Sequence, residues 1–122
     1  EFIIFTDYVV DQDLYWLYHE AICLCYPSFY EGFGLPVLEA MAVGCPVITS
    51  NNSSLKEIAE NASILIDPYD KKQIASALKM IIEDKEMGQE LKVKGKQRAE
   101  QFSWRKMGEE TLSIYRQVMK LN

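Results

Sequence analysis

Histidine and cysteine are scarce in this chain: His19 stands alone, and Cys23, Cys25 and Cys45 are its only cysteines. A single histidine offers no metal-binding cluster. Three cysteines, odd in number and without Cys-x-x-Cys spacing, fit neither a disulfide framework nor a zinc ribbon. Free thiols in an apolar-rich chain suit a reducing, cytoplasmic compartment. Cys23 and Cys25 alternate along an expected strand, so both face one side and read as buried structural residues. No apolar run nears the roughly 20 residues of a membrane span. The opening Glu1-Phe2-Ile3-Ile4-Phe5 has no basic residue ahead of its apolar stretch, unlike a signal peptide. Basic excess is also missing: a net charge of −5 and a pI near 4.9 argue against nucleic acid as a partner. The pattern Gly-x-Gly-x-x-Gly is absent, which leaves a dinucleotide site without support.

What is present is globular. The 122 residues are 48% hydrophobic and 25% charged, enough for one domain and too few for two independent cores. Charge is divided unevenly. Residues 1–60 hold nine acids and one base, Lys56, for a net of −8; residues 61–122 carry a net of +3.

Short apolar runs alternate with helical periodicity. Phe2–Phe5 reads as a strand. Asp11 reads as the N-cap of a helix whose Leu14, Leu17 and Tyr18 recur at helical spacing. Ile22–Tyr26 is a second strand, closed by Pro27-Ser28. Pro36 suits a helix start and Gly44 a helix end, which brackets a helix over Val37–Val43. Pro46–Thr49 is a third strand, and Asn51-Asn52-Ser53-Ser54 is a turn able to cap a helix over Leu55–Glu60. Ser63–Ile66 is a fourth strand. Asp70 caps a helix with Ile74, Ala77, Leu78, Ile81 and Ile82 on one stripe. Helices over 84–101 and 103–120 follow, with Ser103 as the cap between them. This order predicts an α/β fold: a Rossmann-like parallel sheet with helices on both faces, ending in helices.

In open α/β sheets ligands sit beyond the carboxyl ends of the strands. The loop that follows the second strand there reads Pro27-Ser28-Phe29-Tyr30-Glu31-Gly32-Phe33-Gly34-Leu35-Pro36. Gly32 and Gly34 let backbone approach a ligand closely. The free N–H groups and positive end of the helix that follows suit an anion such as a phosphate. Glu31 in the loop and Glu39 one turn into the helix look misplaced beside an anion, but a carboxylate accepts two hydrogen bonds and so matches a sugar or ribose diol. A ligand with hydroxyls on either side of a phosphate, a nucleotide sugar, satisfies both. For the loop taken alone, a tight turn with solvated glutamates explains the same residues.

The block Glu31-Gly32-Phe33-Gly34-Leu35-Pro36-Val37-Leu38-Glu39-Ala40-Met41-Ala42, continued by Gly44-Cys45-Pro46-Val47-Ile48-Thr49-Ser50, resembles the Glu-x7-Glu signature of retaining glycosyltransferases of the GT-B fold, family 4, also called group 1. Phe5–Val9, Asp13-Leu14, Ser63–Asp70 and Phe102-Ser103-Trp104 also resemble that family. The resemblance implies transfer of a hexose from a nucleotide diphosphate sugar to a glycan or lipid-linked acceptor, with retention of configuration and with no metal or other cofactor. Glu31 would touch hydroxyls of the donor sugar as a positioning and electrostatic group. Glu39 would bind the ribose. Backbone of Gly32, Phe33, Gly34 and Leu35 would meet the sugar and diphosphate, while Val9 and Val10 would border the base. It also implies that 1–122 is a C-terminal donor-binding domain, truncated at its N-terminal side and inactive alone. The cationic clamp on the diphosphate and the acceptor-binding domain would then lie upstream.

Lys92, Lys94, Lys96, Arg98, Arg105 and Lys106 could face anionic lipid, which leaves open a peripheral association of the full protein with the inner face of a membrane. The interleaved Glu86, Glu90, Glu100 and Glu109 favour a solvated face. Leu112, Tyr115, Val118 and Met119 form a stripe that would pack on the missing domain. The alternative to an enzyme fragment is a noncatalytic sugar-nucleotide binding module or a split-transferase subunit.

Overall fold

Three apolar strands of three or four residues, each entered from a helix, build the core. The computed structural model describes residues 3–120. In chain order these form α1 (Asp11–Glu20), β1 (Leu24–Tyr26), α2 (Leu35–Val43), β2 (Val47–Ser50), α3 (Ser53–Ala59), a 3-10 turn (Glu60–Ala62), β3 (Ile64–Ile66), α4 (Lys71–Glu83), α5 (Lys85–Ala99) and α6 (Trp104–Lys120). The strands make one parallel sheet in the order β1-β2-β3. Leu24 pairs with Val47, Cys25 with Ile48, Thr49 with Leu65 and Ser50 with Ile66. Parallel neighbours need crossovers, and α2 and α3 supply them.

Successive residues of a strand face opposite sides, and β2 is buried on both. Val47 joins one core cluster with Val37, Met41, Leu55 and Ile58. Ile48 joins the other with Ile66, Ala77, Ile81 and Leu91. Helices thus cover both faces of the sheet, as the apolar runs predict. Helix α5 reaches both clusters through Leu91 and Ala99. It packs closely on α2 because Gly95 has no side chain: a β-carbon there would stand 3.3 Å from Met41 Cγ.

Several local signals act as read. Gly44 ends α2 at φ 82°, and its N–H meets the carbonyls of Ala40 and Met41. Asp70 caps α4 by accepting from the N–H groups of Lys72 and Gln73. Asp84 caps α5 through Met87 N–H, and Ser103 Oγ accepts from Lys106 N–H at the start of α6.

Other expectations need correction. Residues 3–5 are not a strand, and Phe2 lies outside the described residues. Ile3, Ile4 and Phe5 are 81%, 82% and 88% exposed. Apolar composition gives strand propensity, but a strand exists only through a paired neighbour, and residues 3–5 do not lie along the sheet; the described residues therefore hold three strands, not four. Asp11 is the first helical residue rather than the cap; Val10 holds the cap position with its carbonyl alone, accepting from Asp13 and Leu14 N–H. The Asn51–Ser54 cluster does precede α3, but Asn52 caps it without a side-chain bond.

The side chains of α6 described here, residues 104–119, are all exposed, the stripe Leu112, Tyr115, Val118 and Met119 included. Two of the basic residues pair with acids on their own helices: Lys94 meets Glu90 at 2.6 Å and Arg105 meets Glu109 at 2.9 Å. Arg98 differs. Its guanidinium closes the end of α3, with Nε on Ile58 O at 2.9 Å and Nη2 on Glu57 O at 2.7 Å, and Nη1 pairs with Glu60 at 3.1 Å. Among the described residues no helix is long and apolar enough to cross a membrane. Cys45 is buried, and Cys23 and Cys25 are half-buried against the second cluster. Burial pushes all three thiols up, Cys23 to about 11.

Candidate donor-binding site

The site begins with two hydroxyls in an otherwise apolar strand. Thr49 and Ser50 end β2 and are fully buried. A buried hydroxyl needs a partner, and both find one in the loop after β1. Thr49 Oγ1 donates to Tyr26 O at 3.0 Å, and Ser50 Oγ donates to Ser28 O at 2.6 Å. The start of α3 continues the seam. Asn52 Nδ2 donates to Phe29 O, Ser53 Oγ accepts from Glu31 N–H at 3.2 Å, and Ser54 Oγ reaches the carbonyls of Glu31 at 2.9 Å and Phe33 at 2.7 Å. The loop is thereby tied along its length to the carboxyl end of β2 and the start of α3.

Fixing the backbone fixes the Glu31 carboxylate. Tyr26 Oη donates to Glu31 Oε1 at 2.7 Å, and Ser28 Oγ donates to the same oxygen at 2.8 Å. These two bonds, Tyr26 first and Ser28 second, hold the Glu31 carboxyl below the usual range. The same bond, with burial behind it, pushes the Tyr26 phenol up to about 12.

Gly34 precedes α2 at φ 118°, the left-handed region that favours glycine. A β-carbon there would lie 2.7 Å from Leu55 Cδ2, so Gly34 serves the packing of the loop on α3. A β-carbon at Gly32 would meet nothing within 4 Å. Sequence reading treats the two glycines alike; only Gly32 leaves open space above the loop. Gly34 O accepts the first bonds of α2, from Val37 and Leu38 N–H. Among the described residues no protein acceptor meets the N–H groups of Phe33, Gly34 or Leu35. They are the free donors of the helix start, because Pro36 has none. The Phe33 ring turns aside and meets Phe102 edge-on, centroids 6.2 Å apart. Leu35 is partly exposed at the first position of α2.

Glu39 is exposed on α2. Its carboxylate lies near Tyr18 of α1, and burial first, then Glu39, raises the Tyr18 phenol. Tyr18 in turn adds to the shift of Tyr26. The two glutamates thus flank one tyrosine pair, which packs on the first core cluster. Val9 and Val10 stand at the start of α1. Val9 lines an open groove with Thr6, Asp13, Trp16 and Leu17, and no residue of 31–39 borders it. Tyr26, Ser28, Ser53 and Ser54 are absent from the sequence-based candidates. The signal for Ser53 and Ser54 is the run Thr49-Ser50-Asn51-Asn52-Ser53-Ser54, six hydrogen-bonding side chains that end β2 and lead into α3.

The parallel sheet covered on both faces, with a carboxylate-bearing loop at a strand's carboxyl end, matches part of a GT-B glycosyltransferase domain. The chain superposes on sucrose-phosphate synthase from Thermosynechococcus elongatus with a TM-score of 0.80 at 31% identity, covering 93% of this chain and 29% of that one. The family described as Glycosyl transferases group 1 matches residues 1–98, and the chain belongs to it. O-antigen chain mannosyltransferase B of Escherichia coli is 40% identical over 112 residues, 92% of this chain and 29% of that protein. MMP alpha-(1->4)-mannosyltransferase of Mycolicibacterium hassiacum is 32% identical over 113 residues, 89% of this chain and 28% of that protein. The chain therefore spans less than a third of the length of these proteins.

Proposed function

We propose that this chain is the donor-binding part of a retaining glycosyltransferase that moves a hexose from a uridine or guanosine diphosphate sugar to a glycan or lipid-linked acceptor. The observation that carries this reading is the Glu31 carboxylate. Two hydroxyls donate to one of its oxygens, beside a helix start whose N–H groups lack acceptors among the described residues. An acceptor-only group next to a cluster of donors suits a ligand with hydroxyls on one side and a phosphate on the other.

In this reading Glu31 accepts from the donor sugar's hydroxyls and steadies the charge that develops as the glycosidic bond to the diphosphate breaks. The N–H groups of Phe33, Gly34 and Leu35 meet the diphosphate, and Gly32 lets the sugar approach. Glu39 accepts from the ribose diol, while Val9 and Val10 border the base. No metal or other cofactor enters. Mannose is the favoured hexose, because two of the similar proteins are named as mannosyltransferases.

The test is an amide chemical-shift titration of the chain with UDP, GDP, ADP, CDP and dTDP. The reading expects selective shifts at Phe33–Glu39 and at Val9-Val10 with one base. Shifts from no nucleotide, in this folded chain and again in a chain extended upstream to include the cationic clamp, would overturn it.

A further inference from the structure

We propose that Tyr26 and Ser28 are positioning residues for Glu31: together they occupy Oε1 and leave Oε2 as the oxygen offered to a hydroxyl of the donor sugar. The proposal rests on the donor-site reading of Glu31 and deepens it.

The geometry is specific. A carboxylate has about four lone-pair sites, two on each oxygen. Here both hydroxyl donors converge on Oε1, at 2.7 and 2.8 Å, well-formed O–H···O distances. Each donor is itself fixed from below. Tyr26 ends β1, packs on the first core cluster and holds Thr49 Oγ1 on its carbonyl. Ser28 holds Ser50 Oγ on its carbonyl. Thr49 and Ser50 are fully buried, so the order of support runs from core to loop to carboxylate. A glutamate on a surface loop samples many rotamers; this one is held at its tip as well as at its backbone, and its free oxygen faces one way before any ligand arrives. The raised phenol keeps Tyr26 a donor through any physiological pH.

A merely structural role for the two hydroxyls would close the turn without serving the carboxylate. Tyr26→Phe keeps the ring and its packing and removes only the donor. Ser28→Ala removes the second, and Ser28→Thr restores a hydroxyl. Two measurements separate the roles. The first is the carbon-13 carboxyl titration of Glu31. The second is the affinity of the chain for GDP-mannose relative to GDP, and for UDP-glucose relative to UDP.

The proposal expects Glu31 to titrate below an ordinary glutamate in the parent and to move up in Tyr26→Phe and in Ser28→Ala, with Ser28→Thr returning toward the parent. It expects Tyr26→Phe to weaken the nucleotide sugar about three- to tenfold while the free nucleotide binds as before. A Glu31 titration unchanged in Tyr26→Phe and Ser28→Ala would overturn the positioning role. So would equal losses for sugar nucleotide and nucleotide. The expected carboxyl titration with no binding of either nucleotide sugar, in this chain and in one extended upstream through the cationic clamp, would overturn the donor reading and the role built on it, leaving only a carboxylate held by two hydroxyls.

Discussion

Gly34 and Leu55 stand so close that a β-carbon on the first would lie 2.7 Å from Cδ2 of the second. Leu55 is fully buried and has no room to retreat, and Gly34 adopts φ 118°. Gly34→Ala is therefore expected to destabilise the fold by about 1–3 kcal/mol. Gly32→Ala, which meets no neighbour, should stay within about 0.5 kcal/mol of the parent. Urea midpoints measure both. On the proposed function, Gly32→Ala would instead weaken nucleotide-sugar binding, so the two glycines separate stability from binding.

Arg98 joins α5 to the end of α3, where carbonyls lack helical partners. Replacing it with Met keeps much of the stem and removes the bonds to Ile58 O, Glu57 O and Glu60. The expected loss is about 2–3 kcal/mol, since bonds from a charged donor exceed neutral ones. Lysine should recover only part, because a point charge cannot span two carbonyls as a planar guanidinium does. Thermal unfolding of both variants checks this ranking.

The two glutamates should divide the ligand. Glu39→Ala is expected to weaken free nucleotide by about 1.5–3 kcal/mol through lost charge-assisted bonds to the ribose. Glu31→Ala should leave the nucleotide alone and weaken the nucleotide sugar. Calorimetric titration of both variants with GDP and GDP-mannose reads the difference. Matched losses for both ligands in the Glu31 variant would contradict the division.

Alkaline pH should loosen the fold through its thiols. Burial raises Cys23 to about 11, and raises Cys25 and Cys45 as well, whereas an unfolded chain releases these protons near about 8.5. A raised folded pKa stabilises the native state below the unfolded value, and that contribution is lost as pH climbs through the folded one. The urea midpoint should therefore fall between about pH 9 and 11. Tyr18 and Tyr26, also raised, act in the same direction. Cys23→Val should flatten part of the decline.

Much of the fold was legible because its signals are local. Gly44, Asp70, Asp84 and Ser103 need only their own helix to act, and the stripe Ile74, Ala77, Leu78, Ile81 and Ile82 states its period within one segment. Ile3-Ile4-Phe5 misled because pairing is not local: nothing in three apolar residues says whether a neighbouring strand will lie beside them. Glu31 and Glu39 could be read from the motif they share, and Gly32 and Gly34 from their spacing. The different tasks of those glycines could not, since Leu55 comes near Gly34 only after a crossover. Tyr26 and Ser28 escaped for the same reason that Thr49 and Ser50 did. A hydroxyl earns its meaning from what it faces, and the run Thr49–Ser54 faces a loop more than twenty residues earlier in sequence.

That separation governs how the protein assembles. Six hydrogen bonds join residues 26–33 to residues 49–54, each between positions 21–23 apart. None can form until α2 has folded back and β2 lies beside β1, so chain closure comes before the loop takes its shape. Helix α2 can begin to form on its own; the placement of Glu31 cannot. The Glu31 amide, bonded at the surface to Ser53 Oγ of α3, should then exchange with solvent when the loop and α3 part locally, and its exchange rate gauges the opening of that seam rather than of the whole sheet.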